Sequence, residues 1–208
     1  MSERRPHAPL RPRTRSATAL WLLEELGEPY DLEVVLLASG HHKTPAFLAM
    51  NPMGKSRWWW IGRVVPELGA IAIHLADRYP RLAWRPPSTT PSGPDFLRWV
   101  FFSSAIFEPA LAQKFFGWTP PGEHRRVGLL RRDDPGGHRR RAAGARCWAT
   151  TLTTADVLVA SGLGFGMRFG AIPPRGPLHA YVQRAFERPA YARCQAIEAR
   201  EGARFPPA

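Results

Sequence analysis

Apolar and polar positions change their period twice in the first eighty residues of this chain. Ser16 precedes ATALWLLEELG, a run apolar but for two glutamates, and Gly27 follows it. A good N-cap, an apolar run and a glycine stop predict a helix. YDLEVVLL then places Tyr30, Leu32, Val34 and Leu36 at period two, which predicts a strand. Thr44-Pro45 opens a short helix over AFLAM, since Thr caps and Pro suits the first helical position. Asn51-Pro52-Met53-Gly54 reads as a turn, and WWWIGRVV as a hairpin about Gly62-Arg63. ELGAIAIHLADRY is a further helix, stopped by Pro80. Residues 1–80 therefore read as a mixed α/β unit.

Strand signals vanish beyond that point. Residues 81–94, RLAWRPPSTTPSGP, have the Pro, Ser and Thr content of a linker. DFLRWVFFSSAIF is helical, with Phe96, Val100, Ser103 and Phe107 on one face. Thr153 to Asp156, TTAD, makes a capping box ahead of VLVASGLGFGMRFG. Pro177 opens LHAYVQRAFE, and RPAYARCQAIEAR is a last helix. The expected fold class is α/β plus all-α, with 95–208 as the all-helical part.

The net charge of +12 over 208 residues raises the question of an anionic partner. Eight arginines against Asp133 and Asp134 within residues 125–146 carry half of it, so the basicity is local. That run matches no nucleic-acid motif, and Trp148 is its one aromatic neighbour, which sets a nucleic-acid function aside. Cys147 and Cys194 make no disulfide framework, CxxC pair or zinc spacing, as suits a reducing compartment. No apolar run approaches the roughly 20 residues that a bilayer requires. The acid-poor start MSERRPHAPLRPRTRS shares its character with organelle transit peptides, an alternative to a cytoplasmic location.

Several segments, in order and at matching spacing, resemble bacterial glutathione S-transferases. SATALWLLEELGEPYDLEVV is similar to the family's first helix and second strand, and HHKTPAFLAMNPMGK to its glutathione-side loop, short helix and following turn. AIAIHLADRYP is similar to the helix closing the N-terminal domain, TTADVLVASGLGFGMRFG to the C-terminal folding motif, and YVQRAFERPAY to the late helices. The resemblance implies a thioredoxin-like N-terminal domain that binds glutathione, then a helical-bundle C-terminal domain. It implies a cytoplasmic, homodimeric detoxification enzyme that joins the glutathione thiolate to a small electrophilic apolar molecule, with no metal. Glutathione would be the co-substrate.

A free thiol titrates near ~8.5, and a helix N-terminus with donor groups lowers that value. In the family a hydroxyl at the start of the first helix stabilises the thiolate, a role the resemblance carries to Thr14 and Ser16 as catalytic residues. Ser16 also reads simply as an N-cap. Arg13 and Arg15 either add positive field or are solvated loop charge. The resemblance places His42, Lys43 and Lys55 near the glycyl carboxylate, where cations suit an anionic tripeptide. It places Glu67 at the γ-glutamyl end, and Arg15, Ser56 and Leu68 complete the expected glutathione-binding set. A second-substrate pocket would be lined by Trp99, Phe102, Phe107 and Trp118, residues that read equally well as core.

Three segments and one single residue depart from the family pattern. Ser56-Arg57-Trp58 stands where the family has a cis-proline, and a cis bond before Arg costs roughly 2.5–4 kcal/mol. Leu68 replaces a serine that would donate to a carboxylate. The N-terminus lacks the alternating apolar residues of a first strand. Residues 127–149 carry Pro135, Gly136 and Gly137 where a long packed helix belongs. The Arg, Gly, Ala, Pro and Trp content of residues 1–12, 56–63 and 127–149 fits out-of-frame translation of a GC-rich gene; for 127–149 a natural phosphate-binding loop is the competing reading. These departures also open a second functional class, a non-catalytic binding or assembly module on the same fold. Sequencing the gene tests the frame hypothesis: compensating insertions and deletions are expected, and an unshifted frame shared by close relatives would contradict it.

Overall fold

The computed structural model describes residues 6–12, 14–35, 40–54, 58–60, 64–118 and 152–204, with Trp58–Trp60 as backbone alone. It comprises two compact units, Met1–Leu75 with Phe186–Ala208, and Ala76–Ala185.

The first unit begins with strand β1 (His7–Leu10), followed by helix α1 (Ser16–Leu26), β2 (Asp31–Val34), a 3-10 turn (His41–Lys43), α2 (Pro45–Met50), β3 (Trp58–Trp60), β4 (Val64–Pro66) and α3 (Leu68–Arg78), of which Leu68–Leu75 belong to this unit. Among the described residues the strands form one sheet in the order β2-β1-β3-β4. A mixed sheet with helices between its strands is the thioredoxin-like architecture expected of this half.

The expectation that no first strand exists is wrong. β1 pairs in parallel with β2 from His7↔Asp31 to Leu10↔Val34, and the Asp31 and Val35 amides donate to Pro6 and Leu10. Alternate residues of a strand turn their backbone groups to opposite neighbours. Pro6 and Leu10 face β2, so Pro9 faces β3, and its missing donor falls beyond the one registered pair on that side, His7↔Trp60. Four residues flanked by prolines carry too little alternation to be recognised. β2 lies at the sheet edge, and its Leu32, Glu33 and Val34 are all half-buried, without the alternation its sequence promised.

Local signals fare better. Gly27 ends α1 at φ 70°, its amide bonding Leu23. Thr44 caps α2 by accepting from the Phe47 amide. Antiparallel pairing of Trp59 with Val65 makes the hairpin, whose turn lies outside the described residues. The unit is completed by the last helix, Pro189–Arg204. Arg188 forks onto Glu25 at 2.6 and 2.8 Å, Arg193 binds Glu24 at 2.7 Å, and Trp21 packs edge-on against Phe186 and Tyr191.

The second unit is helical. A continuous helix runs as α4 (Ser92–Phe101), a π-helical stretch (Phe102–Phe107) and α5 (Glu108–Phe116). It is followed by α6 (Thr154–Arg168) and α7 (Gly176–Phe186), which makes Pro189–Arg204 α8. Phe96, Val100, Ser103 and Phe107 are all buried, as their spacing predicts. The capping box is present in full. Asp156 accepts the Thr153 amide at 2.8 Å and returns its own amide to the Thr153 hydroxyl, while Tyr181 donates to the Asp156 carbonyl at 3.1 Å. Asp156→Ala strands the Thr153 amide and removes the cap, so a loss of about 1–3 kcal/mol is expected in chemical denaturation. Added to Tyr181→Phe, it should cost less than the sum of the two.

Candidate functional site

Strand direction decides which loops meet. β1 and β2 run parallel, β3 is antiparallel to β1, and β4 is antiparallel to β3. The carboxyl ends of β1, β2 and β4 and the amino end of β3 therefore share one end of the sheet. The turn that carries Thr14 and Arg15 into Ser16 leaves β1 there, and Glu67 leaves β4 there for Leu68 and α3. Residues more than fifty positions apart in sequence are thus brought to one sheet end. Lys55 and Ser56, which precede β3 in sequence, lie outside the described residues, as does Arg13.

The hydroxyls at this end form a compact network. Ser16 is not the N-cap; that position is Arg15, whose side chain makes no capping bond. Ser16 is the first helical residue, and its buried hydroxyl is drawn back to Arg11, accepting the amide at 2.9 Å and donating to the carbonyl at 2.8 Å. Thr14 donates to the same carbonyl at 2.8 Å, accepts the Ser16 amide at 3.3 Å, and lies 3.1 Å from the Ser16 hydroxyl. Thr14 is the more accessible of the two, and its hydroxyl has a neighbouring donor in Ser16.

Glu67 has φ 68°, in the left-handed region that non-glycine residues avoid. Strain of this kind, of order 1–3 kcal/mol, collects where the backbone must serve a ligand. The side chain is exposed, and the first α3 amide seen to bond backwards is that of Ile71, onto Glu67. The earlier amides, of Leu68, Gly69 and Ala70, have no carbonyl within the helix to donate to. Leu68 itself is buried, so it offers a ligand its amide and not its side chain.

His42 and Lys43 lie in the 3-10 turn against the 51–54 turn. A Cβ on Gly54, at φ +60°, would stand 3.0 Å from the His42 carbonyl and 3.2 Å from Lys43 Nζ, so only glycine fits there. His42 Nδ1 is buried without a hydrogen-bond partner among the described residues. A buried polar atom left so costs about 1–3 kcal/mol. Cys194 is no alternative nucleophile: it is buried, it faces the Ala17 carbonyl, and burial pushes its thiol well above the usual range.

No family model matches the sequence. Glutathione S-transferase 3 of Schizosaccharomyces pombe is 33% identical over 103 residues, which is 46% of this chain and 40% of that relative's length. A solved glutathione transferase from Methylococcus capsulatus matches at TM-score 0.72 and 25% identity, covering 93% of this chain and 98% of its own. A sphingomonad glutathione S-transferase complexed with glutathione matches at TM-score 0.67 and 22% identity, covering 93% and 98%. The chain has the glutathione transferase fold.

Likeness to glutathione transferases reaches across bacterial and fungal proteins, wider than the bacterial resemblance of the sequence segments. Within this fold, the aromatic residues expected around a second substrate divide. Trp99 and Phe107 are core, Phe102 is half-buried, and Trp118 is exposed. The expected helix over 127–149 lies outside the described residues, and among those described no group of His, Cys, Asp or Glu side chains could hold a metal. No described helix is long and apolar enough to cross a membrane. Two substitutions separate fold from site. Glu67→Gly relieves the positive φ and should raise stability by about 1 kcal/mol. Ser16→Ala leaves the Arg11 amide unpaired and should lower it by about 1–3 kcal/mol. Equilibrium denaturation checks both.

Proposed function

We propose that this protein binds glutathione and transfers its thiolate sulfur to an electrophilic carbon of a small apolar molecule. The observation that carries this reading is that the turn with Thr14 and Ser16, Glu67 and the first-turn amides of α3 lie at one sheet end, in a glutathione transferase fold. Glu67 pairs with the α-amino group of the γ-glutamyl residue. The first-turn amides of α3 receive its carboxylate, as helix N-termini favour anions. His42 and Lys43, with Lys55, supply positive charge for the glycyl carboxylate. Arg15 and Ser56 complete the set, and residues 1–80 form the glutathione-binding domain.

The thiol gives its proton to solvent, and Thr14 turns its hydroxyl from Arg11 to the sulfur anion. Ser16, held on the Arg11 backbone, keeps Thr14 in place through its amide, which donates to the Thr14 hydroxyl oxygen at 3.3 Å. Sulfur attacks the carbon, a carbon–sulfur bond forms, and the leaving group departs with its electron pair. The electrophile is a substrate class here, not a named compound. The same reading makes the protein a cytoplasmic homodimer.

A non-catalytic binding module is favoured by two observations: Ser16 is engaged by the Arg11 backbone, and a buried leucine stands at position 68. Calorimetry with glutathione, followed by turnover of an activated aryl halide, separates the readings. The enzyme reading expects micromolar to millimolar binding (about 4–8 kcal/mol), abolished by Glu67→Ala, with turnover. Binding without turnover supports the module, and a folded protein that does not bind glutathione contradicts the enzyme reading and leaves a scaffold that has lost its co-substrate.

A further inference from the structure

Side chains from three separate elements of the first unit meet at Glu33. His7, on β1, places Nε2 2.8 Å from Glu33 Oε2. His41, which opens the 3-10 turn, places Nε2 3.3 Å from the other oxygen. Each carboxylate oxygen thus takes one imidazole. Neutral imidazole with its proton on Nε2 donates as the cation does, so the His7 bond needs no protonation, while His41 stands at ion-pair distance. His41 is also seated edge-on against Phe47, at 5.7 Å, and Phe47 is fully buried with Val35. The His41 carbonyl accepts both the amide and the hydroxyl of Thr44, the residue that caps α2. His41 therefore organises the turn that presents His42 and Lys43, and Glu33 holds His41.

We propose that Glu33 is a positioning residue for glutathione: by bridging His7 and His41 it fixes the His41–Lys43 turn on the sheet, so that His42 and Lys43 meet the tripeptide preorganised. The proposal rests on the glutathione reading above. Holding a binding group in its bound geometry beforehand removes part of the ordering cost of association. Glu33 acts through the turn, so its loss changes affinity for glutathione and leaves the hydroxyls at the start of α1 undisturbed.

Two readouts test this on the full chain: glutathione affinity by calorimetry, and amide exchange at Lys43 and Thr44, whose N–H groups close the turn on Gly40 and His41. Glu33→Leu should weaken binding about three- to tenfold, raise KM for glutathione with kcat unchanged, and speed exchange at both amides. His41→Leu should match it, and the double variant should fall no further than either single one. His41→Gln keeps a side-chain N–H for Glu33 and should bind as the wild type does. Glu33→Ala, which removes both oxygens, should move both readouts in the same direction and serves if the leucine variant does not fold. Unchanged exchange overturns the proposal, and so does a loss of affinity that His41→Gln shows equally. If wild-type protein binds no glutathione, the functional reading fails, while the exchange result still decides whether Glu33 holds the turn.

Discussion

The first unit depends on β1, four residues whose direction sets everything around them. Its parallel ladder with β2 and its contact with β3 orient the sheet. Once β1 is fixed, the turn into α1, the start of β3 and the end of β4 must share a sheet end. The site is therefore a consequence of strand direction before any side chain is considered. Pro9 is tolerated because its missing donor faces the side on which pairing has already stopped.

Helix α1 is then held on its other side by α8, through contacts that combine charge with burial. Glu25 receives a two-pronged guanidinium from Arg188 and the indole N–H of Trp21. Glu24 receives Arg193 and the Tyr30 hydroxyl, and burial, with the Glu24 carboxylate next in weight, pushes that phenol well above its ordinary range. Such charges are nearly buried on the carboxylate side, so removing one partner leaves an uncompensated group and costs more than an exposed pair would. These contacts hold the C-terminal end of α1; at its start Ser16 is bound to the Arg11 backbone and Thr14 stands beside it. A hydroxyl that must hold a sulfur anion works best from a backbone that does not move.

What was legible in the sequence was local. The run before Gly27, the Thr44-Pro45 start of α2, the TTAD box and the face of Phe96, Val100, Ser103 and Phe107 announce themselves because cap, glycine and period lie within a few residues of one another. β1 was missed because its evidence lies in pairing with residues more than twenty positions away. Ser16 was read as an N-cap because nothing in the sequence shows its hydroxyl turning back to Arg11. The positive φ of Glu67 and the meeting of His7, Glu33 and His41 are equally non-local, and no spacing signals them. For Glu67, a signal existed in part: an acidic residue at a strand-to-helix junction after Pro66. Lys55 and Ser56 keep the standing of expectations, since they lie outside the described residues.

On the proposed reading the Thr14 and Ser16 hydroxyls lower the pKa of a bound thiol, and ultraviolet absorbance of the glutathione thiolate reads this directly. In the wild-type complex, thiolate should appear at a pH below the free value of ~8.5, and Thr14→Val should return it toward that value. A bound thiol that ionises as it does free in solution, or a Thr14→Val complex that titrates like wild type, would contradict the account.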